Sequence, residues 1–399
     1  MNLIQNKKYR LGEAFLFLIS FCICLLLGEI MVRIIKRDIA YQPDPEVIRS
    51  LRPNIEYSIP SFETEDNLNS LSTTIPKIPN RIGTDRTNNV GFRMSKDVFE
   101  KKQNEKRVLL LGDSYTEANN VVEKDRFFFL ADNYLKSKDK NWNILNGGIQ
   151  NGSPSQYSLQ IRKYLPLYKP DYVVVVTGAN DFEDDYNFER AFGFVFDQFG
   201  IPLKLKNTLS LKLLKKSFLL RYLYVLVSRT LPKLLDYLGP PANPNLPIVS
   251  WRSLLCANDP KIQDRYLQKT GRYLVGIKQL VEQAGAHFGV LVMHYNYVFP
   301  EPYYHPRFPN LEEELRSYGC NRTGSTPFNP LVDKFLSSNK IEFQNSFDRF
   351  ASFKKENSKT NLWGFWDYHF SPEGHKLLAM ELETLLLSLE QKYALGTKR

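Results

Sequence analysis

The chain opens on its longest apolar run. Leu11 to Ile35 reads LGEAFLFLISFCICLLLGEIMVRII, and the apolar stretch from Ala14 to Leu27 continues past Gly28 and Glu29 into Ile30, Met31 and Val32. That is close to the roughly 20 residues a helix needs to cross a hydrocarbon layer. No small-residue cleavage site follows it. The expectation is a short tail over 1–10 and an uncleaved single-pass anchor over 11–35. Lys7, Lys8 and Arg10 before the span are matched by Arg33, Lys36 and Arg37 after it, so charge leaves the orientation open.

Residues 36–104 are rich in Pro, Asn and Thr with weak periodicity, and read as an extended lead-in with short strands. From 105 to 390 short apolar runs alternate with helical patterns. Strands are expected at Arg107–Gly112, around Ile144 and Leu145, at Asp171–Gly178, His287–Tyr295 and Ile341–Asn345. The first, Arg107–Gly112, is a short apolar run ending in Gly, the pattern of a parallel strand covered on both faces. Between them the spacing predicts helices at Phe127–Lys136 (capped by Asp125), Gln156–Tyr164 and Lys261–Ala284. A last helix over Pro372–Leu389 is opened by Ser371 and Pro372, and a tail over 391–399 follows. Alternating strands and helices predict a parallel sheet covered on both faces.

Between 188 and 260 the rhythm breaks. Residues 203–235 carry Lys204, Lys206, Lys212, Lys215, Lys216, Arg221, Arg229 and Lys233 with no acidic residue among them. Interleaved Leu, Phe, Tyr and Val make the segment amphipathic. Two readings stand: a helix lying on anionic lipid, or an inserted cap on the sheet with its basic face in water.

Composition narrows the field. Of 399 residues, 43% are hydrophobic and 24% charged, the balance of a chain with a real core. The net charge of +10 sits largely in the basic segment, and no nucleic-acid-binding module is visible, so no nucleic-acid partner is expected. The four cysteines form no C-x-x-C pair and the five histidines no H-x-x-x-H pair, so no metal site is expected. Cys22 and Cys24 lie in the apolar run. Whether Cys256 and Cys320 pair is left open.

In an open parallel sheet, ligands bind beyond the carboxyl ends of the strands. Strand one ends in Gly112-Asp113-Ser114-Tyr115-Thr116, strand two in Asn146-Gly147-Gly148-Ile149-Gln150-Asn151-Gly152, strand three in Gly178-Ala179-Asn180-Asp181. Asp367-Tyr368-His369 precedes the last helix. Together they supply the parts of acyl transfer. The Ser114 hydroxyl needs a base to become nucleophilic, and His369 is the candidate. Asp367 is placed to hold the imidazole tautomer. The Asn180 amide and glycine-exposed backbone N–H groups can hold an oxyanion. Asp181 also reads as a helix cap, while His375 and His294 read as packed residues.

These blocks resemble the SGNH (GDSL) hydrolase superfamily. Gly112-Asp113-Ser114, Gly178-x-Asn180-Asp181 and Asp367-x-His369 occur in its order, over roughly Glu105 to Leu389. The resemblance implies a flavodoxin-like three-layer α/β sandwich around a central parallel sheet. It implies a serine esterase or acyltransferase with catalytic Ser114, His369 and Asp367, an oxyanion hole of Ser114, Gly152 and Asn180, and no cofactor. The two-residue Asp–His spacing is similar to the membrane-anchored branch that modifies surface polysaccharides. From that branch come an acylated carbohydrate as substrate and an extracytoplasmic catalytic domain. In the second block the family glycine falls on Asn151, one place before Gly152, and both Asn151 and Gly148 stay open as the second donor. The rival reading is a non-catalytic glycan- or partner-binding membrane protein on a hydrolase scaffold.

Overall fold

The computed structural model describes residues 2–35, 40–60, 82–138, 141–206, 208–230, 260–294, 328–364 and 369–396. The apolar run folds as helix α1 (Asn2–Ile35). Among the described residues it contains one span, Phe15–Ile35, of 21 residues, long and apolar enough to cross a membrane. The lead-in is two antiparallel ladders, β1 (Tyr41–Asp44) with β2 (Ile48–Leu51) and β3 (Glu56–Pro60) with β4 (Ile82–Arg86).

The alternating pattern then builds one sheet. In chain order come β5 (Lys106–Leu111), α2 (Ser114–Glu117), α3 (Phe127–Ser137), β6 (Trp142–Asn146), α4 (Pro154–Tyr168), β7 (Tyr172–Thr177) and α5 (Asn180–Phe192). A small ladder of β8 (Phe194–Phe196) and β9 (Pro202–Leu205) is followed by α6 (Leu209–Lys216), α7 (Phe218–Thr230) and α8 (Pro260–Gln283). The chain closes with β10 (His287–Val292), α9 (Phe328–Ser338), β11 (Glu342–Asn345), α10 (Phe347–Glu356) and α11 (Pro372–Gly396).

The sheet order is β11-β10-β7-β5-β6, all parallel. Counted within the sheet this is 2-1-3-4-5, the flavodoxin-like doubly wound order. Every residue of β7 is buried, as is all of β5 after Lys106, which is why these strands show no apolar–polar alternation. Edge strand β11 is half-buried throughout and carries Glu342 and Gln344. The winding direction reverses between β5 and β7, so a crevice opens at their carboxyl ends.

Some expectations needed revision. Asp125 does not cap α3: it closes a short 3-10 turn, and Arg126 stands at the helix start with no side-chain cap bond. The basic segment divides at Ser217 into α6, which carries Lys212, Lys215 and Lys216, and the mostly apolar α7. Leu211 of α6 is buried with Val47, Ile48, Phe194 and Leu205, so this helix packs on the lead-in hairpin. Residues 231–235, Asp367, Cys256 and Cys320 lie outside the described residues.

Candidate active site

β5 ends against a turn with no room for a side chain. A Cβ on Gly112 would sit 2.0 Å from Thr116 Oγ1 and 3.2 Å from Val176 Cβ. The fully buried Asp113 caps α2 by accepting from the Tyr115 N–H at 2.9 Å. Ser114 thereby becomes the first residue of that helix, half-buried at the sheet's carboxyl edge.

His369 reaches it from the far end of the chain, with Nε2 2.7 Å from Ser114 Oγ. Its loop is pinned on both sides. Gly364 N–H donates to the His369 carbonyl at 2.8 Å, Trp363 and Phe370 form an antiparallel bridge, and Asn120 Nδ2 donates to the Phe370 carbonyl at 2.8 Å. The imidazole lies against Tyr115, ring centroids 4.6 Å apart.

Across the crevice, Asn180 begins α5 directly after β7. Its Nδ2 donates to Asp113 Oδ2 at 2.7 Å and to Asp184 Oδ2 at 3.3 Å. Asp113 thus links the two strand ends, one oxygen on the Ser114 helix and the other on Asn180. Asp181 turns back beneath the site, accepting from Thr177 Oγ1 at 2.7 Å, Gly178 N–H at 3.3 Å and Tyr157 OH at 3.2 Å.

The loop after β6 is laced to the same elements. Gly147 N–H donates to Leu110 O, Gly148 N–H to Asn146 Oδ1, Ile149 N–H to Gly112 O and Gln150 N–H to Glu117 Oε2. Gly152 N–H is engaged with Ile149 O at 2.9 Å. Asn151 stands exposed with φ of 56°, the left-handed region that Gly, and more rarely Asn, adopts.

Acidic groups crowd below the crevice. Burial raises Asp113, while the Asn180 amide, the Tyr115 N–H and the charge of His369 pull it back down. Burial, then the neighbouring Asp113, pushes Asp181 well above the ordinary carboxyl range and Asp184 up to about 8. Asp185 is raised by burial against hydrogen bonds from Ser155 and Thr270. Asp113, Asp184, Asp185 and Tyr115 were not singled out from sequence. The spacing of Asp181, Asp184 and Asp185 at i, i+3 and i+4 places them on one face of α5, and that was the available signal.

Neither His294 nor His375 joins the pair. His294 is buried 2.6 Å from Asn345 Oδ1, and burial holds it down at about 4. His375 is buried and stacked on Phe127, its Nδ1 accepting from the Phe127 N–H at 3.4 Å, and burial lowers it to about 3.

Fold and site together define a flavodoxin-like α/β protein with a Ser–His pair at its topological switch point. No protein-family model and no curated protein matches the chain. Solved structures do resemble it. One is an acetyl xylan esterase, with TM-score 0.37 and 12% identity over 70% of this chain and 98% of that one. Another is a catalytic mutant of an acetylxylan esterase from Geobacillus stearothermophilus, with TM-score 0.35 and 13% identity over 71% and 95%. A third is a lipolytic protein of the G-D-S-L family from Veillonella parvula, with TM-score 0.34 and 11% identity over 69% and 94%.

Proposed function

We propose that the protein is a membrane-anchored serine esterase or O-acyltransferase of the SGNH type. The observation that carries this reading is the 2.7 Å contact of His369 Nε2 with Ser114 Oγ at the β5–β7 crevice. Ser114 Oγ attacks the acyl carbonyl carbon as His369 Nε2 takes its proton. The tetrahedral intermediate collapses, the leaving alkoxide takes that proton from His369, and the acyl group stays on Ser114. A water or a sugar hydroxyl, deprotonated in turn by His369, then carries the acyl group away. The part of orienting the imidazole is assigned to Asp367 from the Asp367-x-His369 block of the sequence.

The oxyanion is held by the Ser114 N–H, the Asn180 amide and a backbone N–H of the loop after β6. In that loop Asn151 is favoured over Gly152, because the Gly152 N–H is already given to Ile149 O and Asn151 has the left-handed backbone. Asn180 shares its Nδ2 hydrogens between two carboxylates, and the longer bond, to Asp184, is the one exchanged for the oxyanion.

The anchor and the resemblance point to an acyl ester on a carbohydrate or envelope polymer, met outside the cytoplasm. The Ser–His contact weighs against a purely binding role on this scaffold. A fluorophosphonate probe tests the reading: it labels Ser114 in the native protein and not in Ser114→Ala. Absence of labelling on native protein that retains its fold overturns it.

A further inference from the structure

α7 is docked on the anchor. Glu29, in α1, accepts from Ser217 Oγ at 2.7 Å and from the Phe218 and Leu219 N–H groups at 2.9 Å. It therefore caps α7 from 188 residues upstream of Ser217. Arg33 donates to the Lys216 carbonyl at 2.7 Å, and a Cβ on Gly28 would lie 3.3 Å from Leu219 Cδ2. Beside this junction α7 leaves Leu220, Leu223 and Leu226 each more than two-fifths exposed. Apolar side chains bared beside an apolar span suit lipid rather than water.

Between α1, α6, α7 and the β1–β2 hairpin lies a cavity of about 630 Å³, walled by Val32, Tyr41, Phe192, Leu211, Leu214 and Tyr222. That is within the range of small-molecule sites. Its rim is cationic. Arg49, Arg221 and Phe218 line the cavity, and Arg33, Arg52 and Arg221 lie 4.8, 5.0 and 4.2 Å from the centre of the Phe218 ring. Glu29 answers Arg33 at 2.7 Å. Arg221 spends its donors on the carbonyls of Tyr41, Leu214 and Lys215, and the carboxylate that offsets its charge, Glu29, is shared with Arg33. Burial and then the neighbouring guanidiniums lower Arg52 and Arg221 below the ordinary range, a cost that an anion would relieve. Arg33 stands near the end of the apolar span, the level at which lipid headgroups lie.

We propose that this cavity is a binding site for one anionic phospholipid, with an acyl chain among the apolar walls and the phosphate among Arg49, Arg52 and Arg221. Apolar walls with a cationic mouth at headgroup level match an amphiphile with a negative head. The site lies apart from the Ser114 crevice and does not depend on the esterase reading.

The test uses the full chain, reconstituted in phosphatidylcholine bilayers containing a minority of phosphatidylglycerol and then extracted in mild neutral detergent. Retained lipid is counted by native mass spectrometry. Wild type should keep one phospholipid, enriched in phosphatidylglycerol over its bilayer share. The double variant Arg52→Gln, Arg221→Gln should lower that retention about thirtyfold, since each of the two cations at a lipid surface is worth roughly 1 kcal/mol. Leu214→Trp, which fills the cavity and keeps every charge, should lower it as well. Excess glycerol phosphate should leave wild-type retention unchanged. Equal retention of the two lipids by wild type overturns the proposal without recourse to any variant. So does displacement by glycerol phosphate, which would mark a site for a soluble anion.

Discussion

Arg93 Nη1 lies 3.1 Å from the carboxylate of Glu117, the last residue of the four-residue helix that begins at Ser114. The Arg93 side chain is 1% exposed and that of Glu117 not at all. Arg93 also pairs with Asp85, which pairs in turn with Arg126, and the other Glu117 oxygen accepts the Gln150 N–H at 2.6 Å. A residue of the lead-in thus braces both the Ser114 helix and the loop after β6. The lead-in is part of the unit that shapes the site.

Arg93→Met should therefore destabilise the protein by about 3–5 kcal/mol, because it leaves the Glu117 carboxylate buried without its cation and Asp85 with Arg126 alone. Chemical denaturation of the two proteins measures it. A loss below about 1 kcal/mol would mean that the neighbouring Arg126 takes over.

Ser114→Ala should lower turnover of a short-chain acyl ester by about three orders of magnitude or more with an unchanged circular dichroism spectrum. A substantial residual rate would remove Ser114 from the chemistry.

Asn180→Ala should lower kcat by about 10²–10³ with little change in KM, since the amide acts on the oxyanion rather than on the ground-state carbonyl. A rise in KM at constant kcat would make Asn180 a substrate-binding residue.

Asp184 makes two pH effects separable. Its carboxyl is held up at about 8 in the folded chain, against about 4 unfolded. Between those values the folded state binds the extra proton, so stability falls as pH rises through that window. Against Asp184→Asn, the wild type should lose up to about 1.4 kcal/mol per pH unit there and nothing more above pH 8. Thermal melts across the window measure this. Activity should move in the same direction. Above pH 8 the ionised carboxylate competes with the oxyanion for the Asn180 amide, so wild-type kcat should fall there while Asp184→Asn holds its rate. Parallel pH profiles would detach Asp184 from Asn180.

Strands β5, β7 and β10 were legible because central parallel strands are buried on both faces and leave continuous apolar runs such as Val173 to Val176. Ser114 and Asn180 could be placed near one another because strand ends at a switch point define where such a crevice falls, and His369 arrives at bonding distance from Ser114. Helix α5 was not legible. Its sequence NDFEDDYNFERAF looks water-facing, yet Asp181 and Asp185 are buried because Thr177, Tyr157, Ser155 and Thr270 supply donors from elsewhere in the chain. The Arg93 brace was equally hidden, because a charged residue in a weakly patterned segment carries no mark of the distant carboxylates it will meet. The break at Ser217 depends on a cap supplied by Glu29, and contact across that separation leaves no local pattern.

The Glu29 cap also determines what kind of tether the protein has. A catalytic head on a loose leash would sweep a volume of polymer above the bilayer, and lengthening the leash would widen its reach. Here Glu29 and Arg33 grip the start of α7, and Lys215 on the preceding helix grips Asp44 of the lead-in at 2.8 Å. On the proposed reading of α1 as a membrane anchor, these contacts would hold the crevice at one altitude and one tilt over the bilayer, like a plane on a fixed bed that reaches those ester groups carried to its cutting height.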